Sequence, residues 1–239
     1  MKIDLTLPSG WHQVEPGKLV QLARLFLSHC EKSDFLARCF FLFSGWKLMR
    51  RPQITIEGKK QYWFKKGFLQ FYIDADRFTF LVKKLEWITE GIALPAGLPE
   101  IKGFSHVNHR LYYVTLETFL EADNYYQAYI ETQKFSYINQ LFQQFYHRQR
   151  LFAWPSKAEK YAVFLWFTGV KSFLAIKYPY IFTGSSGSEG GTSPEETILN
   201  LLSALNQGDV TNNKKIFKTH VHECFHELNL KIEHAPKTK

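Results

Sequence analysis

Ser156-Lys157-Ala158-Glu159-Lys160-Tyr161-Ala162-Val163-Phe164-Leu165-Trp166-Phe167-Thr168-Gly169-Val170-Lys171-Ser172-Phe173-Leu174-Ala175 is the stretch on which the fold turns. Phe164, Leu165, Trp166, Phe167, Val170, Phe173 and Leu174 spread apolar side chains over much of a helix's circumference. A helix that is apolar nearly all round is normally enclosed by the rest of the core. The pattern therefore predicts a central helix from Ser156 to about Ala175, ended by Tyr178-Pro179-Tyr180.

Working outward, the other long apolar patterns are also helical. Leu19, Val20, Leu22, Ala23, Phe26 and Leu27 follow Pro16, which suits a first turn. A second helix runs from Phe35 toward Gly45, with Ser33 and Asp34 able to cap it. Helices are also expected from Thr115 to Thr132 and from Phe135 to His147, with 92 to 113 irregular. The period changes between Gln53 and Ile73. There Ile54-Thr55-Ile56, Gln61-Tyr62-Trp63-Phe64 and Phe68 to Ile73 predict a three-stranded antiparallel meander, with turns at Glu57-Gly58-Lys59-Lys60 and Lys65-Lys66-Gly67. Asp74 or Asp76 then starts a helix lined by Phe78, Leu81, Val82, Leu85 and Ile88.

The expected fold class is thus mainly α (α+β): a multi-helix body over 1–183, a flexible Gly/Ser linker over 184–192 and a C-terminal helical hairpin over 193–239. Gly184 to Gly191 has no side chain to pack. Ser193-Pro194-Glu195-Glu196 has the form of a capping box, and Ile198, Leu199, Leu202 and Leu205 form the stripe of the hairpin's first helix. The second begins near Thr211 to Asn213.

Composition bounds the function loosely. The chain has 239 residues, 45% of them hydrophobic, with 22 Phe and 12 Tyr, enough aromatic area to build a core without disulfides. Cys30, Cys39 and Cys224 are odd in number and form no C-x-x-C, as expected of free thiols in a reducing compartment. No secretory signal is visible at the N-terminus, and the strongest apolar run, Phe35 to Phe43, is too short to span a bilayer. A cytoplasmic protein with no membrane partner is expected. The net charge of +8 attracts polyanions, but the lysines come in short pairs along the chain, which reads as a solvated basic surface. No phosphate-binding glycine motif of either common kind occurs.

One motif names a chemistry. His222-Glu223-Cys224-Phe225-His226 spells H-E-x-x-H, in which two histidines one turn apart hold zinc and the Glu activates a metal-bound water. On a helical wheel zeroed at Val221, the residues Phe217, Cys224, Phe225 and Leu228 fall within about 60° of the origin, while His222, His226 and Glu223 lie at about 100°, 140° and 200°. The histidines should therefore flank the buried face and Glu223 should face solvent. A catalytic zinc also needs a third protein ligand. The metzincin positions for it hold Asn229 and Ile232, leaving His220, His234, Glu233, His106 or His109 as candidates. The pattern favours no cofactor and no catalytic residue. A zinc hydrolase using His222, His226 and Glu223 is the alternative. A second alternative is a basic nucleic-acid-binding module, since Tyr62-Trp63-Phe64-Lys65-Lys66-Gly67-Phe68 interleaves rings with lysines. The favoured reading of that segment is a meander with one aromatic face buried and its lysines in turns.

Leu5-Thr6-Leu7-Pro8-Ser9-Gly10-Trp11, followed by a Leu-rich helix, resembles uncharacterised proteins of Bacteroidetes prophages and phage-like elements. Ile198 through Thr211, and the segment through Leu228-Asn229, is similar to the C-terminal hairpin of phage tail assembly chaperones. Such proteins hold the tape-measure protein during tail building. The resemblance covers the two ends of the chain and implies a non-enzymatic assembly or protein-interaction role, with a phage tail component as partner. In that reading the partner-binding stripe comprises Ile198, Leu202, Leu205, Phe217, Val221, Phe225 and Leu228.

Overall fold

The computed structural model describes residues 5–50, 54–101, 104–148, 154–182, 203, 206 and 209–234. These form a mainly helical body carrying a small antiparallel sheet. The helices are α1 (Pro16–Phe26), α2 (Lys32–Ser44), α3 (Ala75–Lys83), α4 (Trp87–Glu90), α5 (Leu116–Thr132), α6 (Phe135–Phe145), α7 (Lys157–Lys177), α8 (Pro179–Phe182), α9 (Asn213–Phe217) and α10 (Val221–Glu233). The strands are β1 (Lys47–Leu48), β2 (Ile54–Ile56), β3 (Lys59–Lys66), β4 (Leu69–Asp74), β5 (Phe104–His106) and β6 (Tyr146–Arg148).

Helix α7 is the expected central element. Ser156 and Glu159 form a reciprocal capping box at its start, satisfying two backbone donors that the first turn leaves open. Ala162 through Phe167 are all buried. Phe167 meets Phe119 of α5 and Phe145 of α6, and Phe164 stacks on Tyr126 at 5.1 Å. Trp166 is fully buried, and its indole N–H donates to the carbonyl of His109 at 3.0 Å. Helix α1 packs along α7 on another side. Gly169 lets the irregular 92–94 segment cross α7 in direct contact. A Cβ there would lie 2.7 Å from the Ala93 carbonyl carbon and 2.8 Å from Leu94 Cα, and closer still to the Ala93 oxygen.

The meander forms as expected, with different turns. β3 pairs with β4 on one edge and with β1 and β2 in succession on the other. The β2–β3 turn is Glu57-Gly58 alone, both at positive φ (50° and 75°), as a two-residue hairpin turn requires. Gly67 (φ 59°) and Phe68 make the other turn. Lys59, Lys60, Lys65 and Lys66 are therefore strand residues, not the turn residues that the sequence reading makes them. The sheet's inner face places Phe64 and Phe71 against Trp46, with Phe64 also touching Phe41 and Phe78 of the helices beneath. Asp74 caps α3 by accepting from the Arg77 amide at 2.8 Å.

Other boundaries shift. Helix α2 starts at Lys32, so Ser33 and Asp34 lie in its first turn, where Asp34 pairs with Arg38 at 2.8 Å. Helix α6 stops at Phe145, and Tyr146–Arg148 leaves it to pair with Phe104–His106. Among the described residues no helix is long and apolar enough to cross a membrane. The expected linker, and Ile198, Leu202 and Leu205 of the expected hairpin, lie outside the described residues.

The described C-terminal segment is knit to the body. The Thr219 carbonyl accepts from the Leu116 amide, and the Val221 amide donates to the Val114 carbonyl, both at 2.9 Å. The expected single last helix is two, α9 and α10, with the chain extended at His220 between them. The bridge from His220 to Thr115 requires that extension, so the wheel cannot be phased across Phe217.

Candidate functional site

Within α10 the phasing holds for the apolar side: Val221, Cys224, Phe225 and Leu228 are buried. Phe225 meets Phe119 edge-on at 5.4 Å and Tyr178 at 5.8 Å. Three of the seven residues expected to bind a partner, Val221, Phe225 and Leu228, are thus covered by the chain's own body, and Phe217 is half-buried.

His222 departs from expectation. It is only 8% exposed, because the 110–112 segment and Tyr178 close over the flank where the wheel leaves it open. Its Nε2 lies 2.6 Å from the Arg110 carbonyl, and its Nδ1 lies 2.8 Å from the Tyr178 hydroxyl. Tyr112 stacks on the ring at 4.8 Å. A carbonyl can only accept, so Nε2 carries the hydrogen and Nδ1 accepts from Tyr178. Burial lowers the His222 pKa below its ordinary value, and the Lys177 ammonium adds to this, while the Arg110 carbonyl opposes it. The ring is a neutral clasp between α10 and the body.

An Nε2–H donated to a carbonyl is the usual second contact of a metal-ligating histidine, but the Nδ1 lone pair that would take the metal accepts the Tyr178 proton here. Glu223 is 66% exposed and faces His220 Nδ1 at 3.3 Å, while His226 is exposed. Both line an open groove of about 540 Å3 together with His222, Lys177, Tyr178 and Asn229, so the three motif residues border one groove. Among the described residues no three His, Cys, Asp or Glu side chains converge to hold a metal. His106 is exposed in β5 with Nδ1 turned to the Val107 carbonyl, and His109 lies in the loop that receives Trp166. A second groove, about 620 Å3, is bordered by Arg24, Arg38, Glu100 and Glu159. Its Arg38 and Glu159 are already engaged in the Asp34 pair and the capping box.

A third region has a different character. Side chains alternate across a strand, so Lys59, Gln61, Trp63 and Lys65 project from the outer face of β3. Register sets Tyr72 opposite Trp63, Gln70 and Lys47 opposite Lys65, and Ile54 opposite Gln61. Trp63 and Tyr72 touch edge-on with centroids 5.6 Å apart. Tyr72 is 52% exposed, Lys47, Lys59, Lys65 and Gln70 are exposed, and Phe68 at the turn is fully exposed. Gln61 is buried among these neighbours. Three acidic groups are nearby: Asp74 caps α3, Asp76 lies 4.0 Å from Lys59, and Glu57 stands exposed in the β2–β3 turn.

Reading lysines in pairs hides how charge is distributed. Residues 47–84 hold ten basic side chains against three acidic ones, a net of +7 out of the chain's +8. Outside this segment the chain is nearly neutral. A running sum of charge along the sequence finds the segment. The strand parity that puts Lys59 and Lys65 on the face of Trp63 and Tyr72 follows only once the turns are known to be two residues long.

The chain matches no protein family, no curated protein and no solved structure.

Proposed function

We propose that this chain is a non-enzymatic binding protein that engages an acidic partner through the outer face of its meander. The observation that carries the reading is that residues 47–84 hold nearly all the net charge and that three of their ten basic side chains, Lys47, Lys59 and Lys65, stand exposed on the outer sheet face. Charge of one sign gathered on a surface attracts counter-charged partners and speeds their encounter. The engagement of His222 Nδ1 by the Tyr178 hydroxyl supports binding over zinc catalysis. The resemblance of the two chain ends to phage-like proteins supports placing this activity in phage assembly, in the cytoplasm, where the free thiols of Cys30, Cys39 and Cys224 persist.

The test is elution from immobilised heparin, used as a generic polyanion. Changing Lys47, Lys59 and Lys65 together to Glu should lower the eluting salt sharply. Changing the exposed Lys32, Lys134 and Lys218 to Glu alters net charge equally and should lower it much less. Equal shifts for the two triple variants would show that charge acts through the whole molecule and would refute a dedicated surface.

A further inference from the structure

We infer that the acidic partner is a single-stranded nucleic acid, bound flat on the outer face of the meander. The inference rests on the proposed function above and names the partner of the same surface. Its central juxtaposition is a Trp63–Tyr72 pair set between Lys65 and Lys47 at one end of β3 and Lys59 at the other.

Charge alone would suit any polyanion, so the rings decide the partner. A surface evolved only to meet carboxylates or sulfates gains nothing from exposing aromatic area between its cations. A base offers a π-face to a ring and a phosphate to a neighbouring lysine within one repeating unit. Stacking on rings combined with a basic track is how proteins hold single strands without reading sequence. Tyr72 lies in mid-strand opposite Trp63 with about half of its surface exposed. Phe68, fully exposed at the tip of the β3–β4 turn and preceded by Lys65-Lys66-Gly67, repeats the pairing of ring and cation at the sheet's end.

The shape argues against a duplex. The face is a short sheet, with β3 only eight residues long. In a duplex the bases are stacked on each other, and their faces are closed to Trp63 and Tyr72. A single strand can splay its bases onto the sheet while its backbone runs past Lys47, Lys65 and Lys59. Asp74 and Asp76 lie at the Lys59 end of the face and keep their negative charge, which leaves Lys47 and Lys65 as its less opposed cationic end.

The experiment is a titration of the full chain into a fluorescein-labelled dT oligonucleotide of about twelve nucleotides, followed by anisotropy and by tryptophan quenching. The dT·dA duplex of that length, heparin and poly-glutamate serve as competitors. Expected results are preference for the single strand over the duplex, quenching of tryptophan emission, and a slope of log affinity against log salt near −2, about three phosphates. Tyr72→Ala should weaken binding by about 5- to 150-fold without changing that slope. Lys47→Gln with Lys65→Gln should flatten the slope by roughly 1.4. Because Tyr72 is half-exposed, its variant should melt with the wild type, and Tyr72→Phe should restore binding if stacking is the interaction. Equal affinity for heparin, duplex and single strand, with no effect of Tyr72→Ala, would overturn the inference while leaving a polyanion-binding face intact. Preference for poly-glutamate would overturn it in favour of an acidic protein. Failure to bind any of the four would overturn both readings.

Discussion

Replacing Gly169 by Ala sets two physical effects against each other, and the structure decides between them. Ala is favoured over Gly inside a helix by about 1 kcal/mol, so local propensity predicts stabilisation of α7. The added Cβ, however, would fall within 2.8 Å of the Ala93 carbonyl group and Leu94 Cα. These are backbone atoms, and no rotamer change can remove them. The segment that carries them is pinned on both sides. Ser172 Oγ donates to the Ile92 carbonyl at 2.9 Å, the Trp11 indole donates to the Gly91 carbonyl at 2.6 Å, and the Ala96 amide donates to the Val14 carbonyl at 3.2 Å. Overpacking a well-filled core costs about 1–3 kcal/mol, and this anchoring argues for the upper end. Subtracting the propensity gain leaves a net loss of about 2 kcal/mol, which for a chain of this size lowers Tm by roughly 4–8 °C. Thermal unfolding followed by circular dichroism would measure it. Gly17→Ala is the control: it sits in α1 with nothing within 4 Å of its added Cβ and should be neutral or stabilising by up to about 1 kcal/mol. If Gly169→Ala matched Gly17→Ala, the close crossing of 92–94 over α7 would be wrong.

Two further predictions follow from buried groups. With the His222 pKa lowered by burial, the unfolded state binds a proton more readily than the folded one. Stability is therefore present above about pH 6.5 and lost as pH falls below it. His222→Gln should be less stable at pH 8 yet flatter between pH 6.5 and 5 in urea titrations, and identical slopes would remove His222 as the cause. The thiols divide by burial, which pushes Cys39 up to about 12 and Cys224 up to about 11, so both stay protonated at pH 8 and shielded. A thiol reagent should then label at most Cys30 in the folded protein and all three cysteines in urea, and rapid native labelling of two or more would contradict the packing of α2 and α10.

Much of this architecture is legible locally. The all-round apolar character of Phe164 to Leu174 identifies α7, and alternation with Gly-bearing turns identifies the meander, because both signals live within one element. What the sequence hides depends on distant partners. His222 reads as a flank residue because a wheel phases α10 only against itself, whereas the carbonyl that clasps it belongs to Arg110, far earlier in the chain. The short β5–β6 ladder joins residues some forty positions apart, with nothing periodic to announce it. The break at His220 likewise exists because Thr115 pairs there, while helical propensity alone runs straight through. The basic surface lies between these cases. Its charge is plain in the sequence, but placing Lys59 and Lys65 beside Trp63 requires the one-residue precision of strand register, since a slip of one residue moves every side chain to the opposite face.

The claim that the outer face of the meander is the working surface can be mapped residue by residue. Amide chemical shifts of the isotope-labelled chain, followed as the dT oligonucleotide is added, should move along β3 and β4 between Lys59 and Asp74 and at Lys47, while α10 and the His222 clasp stay still. Shifts centred on the groove beside His226 and Asn229, or no shifts at saturating oligonucleotide, would contradict it.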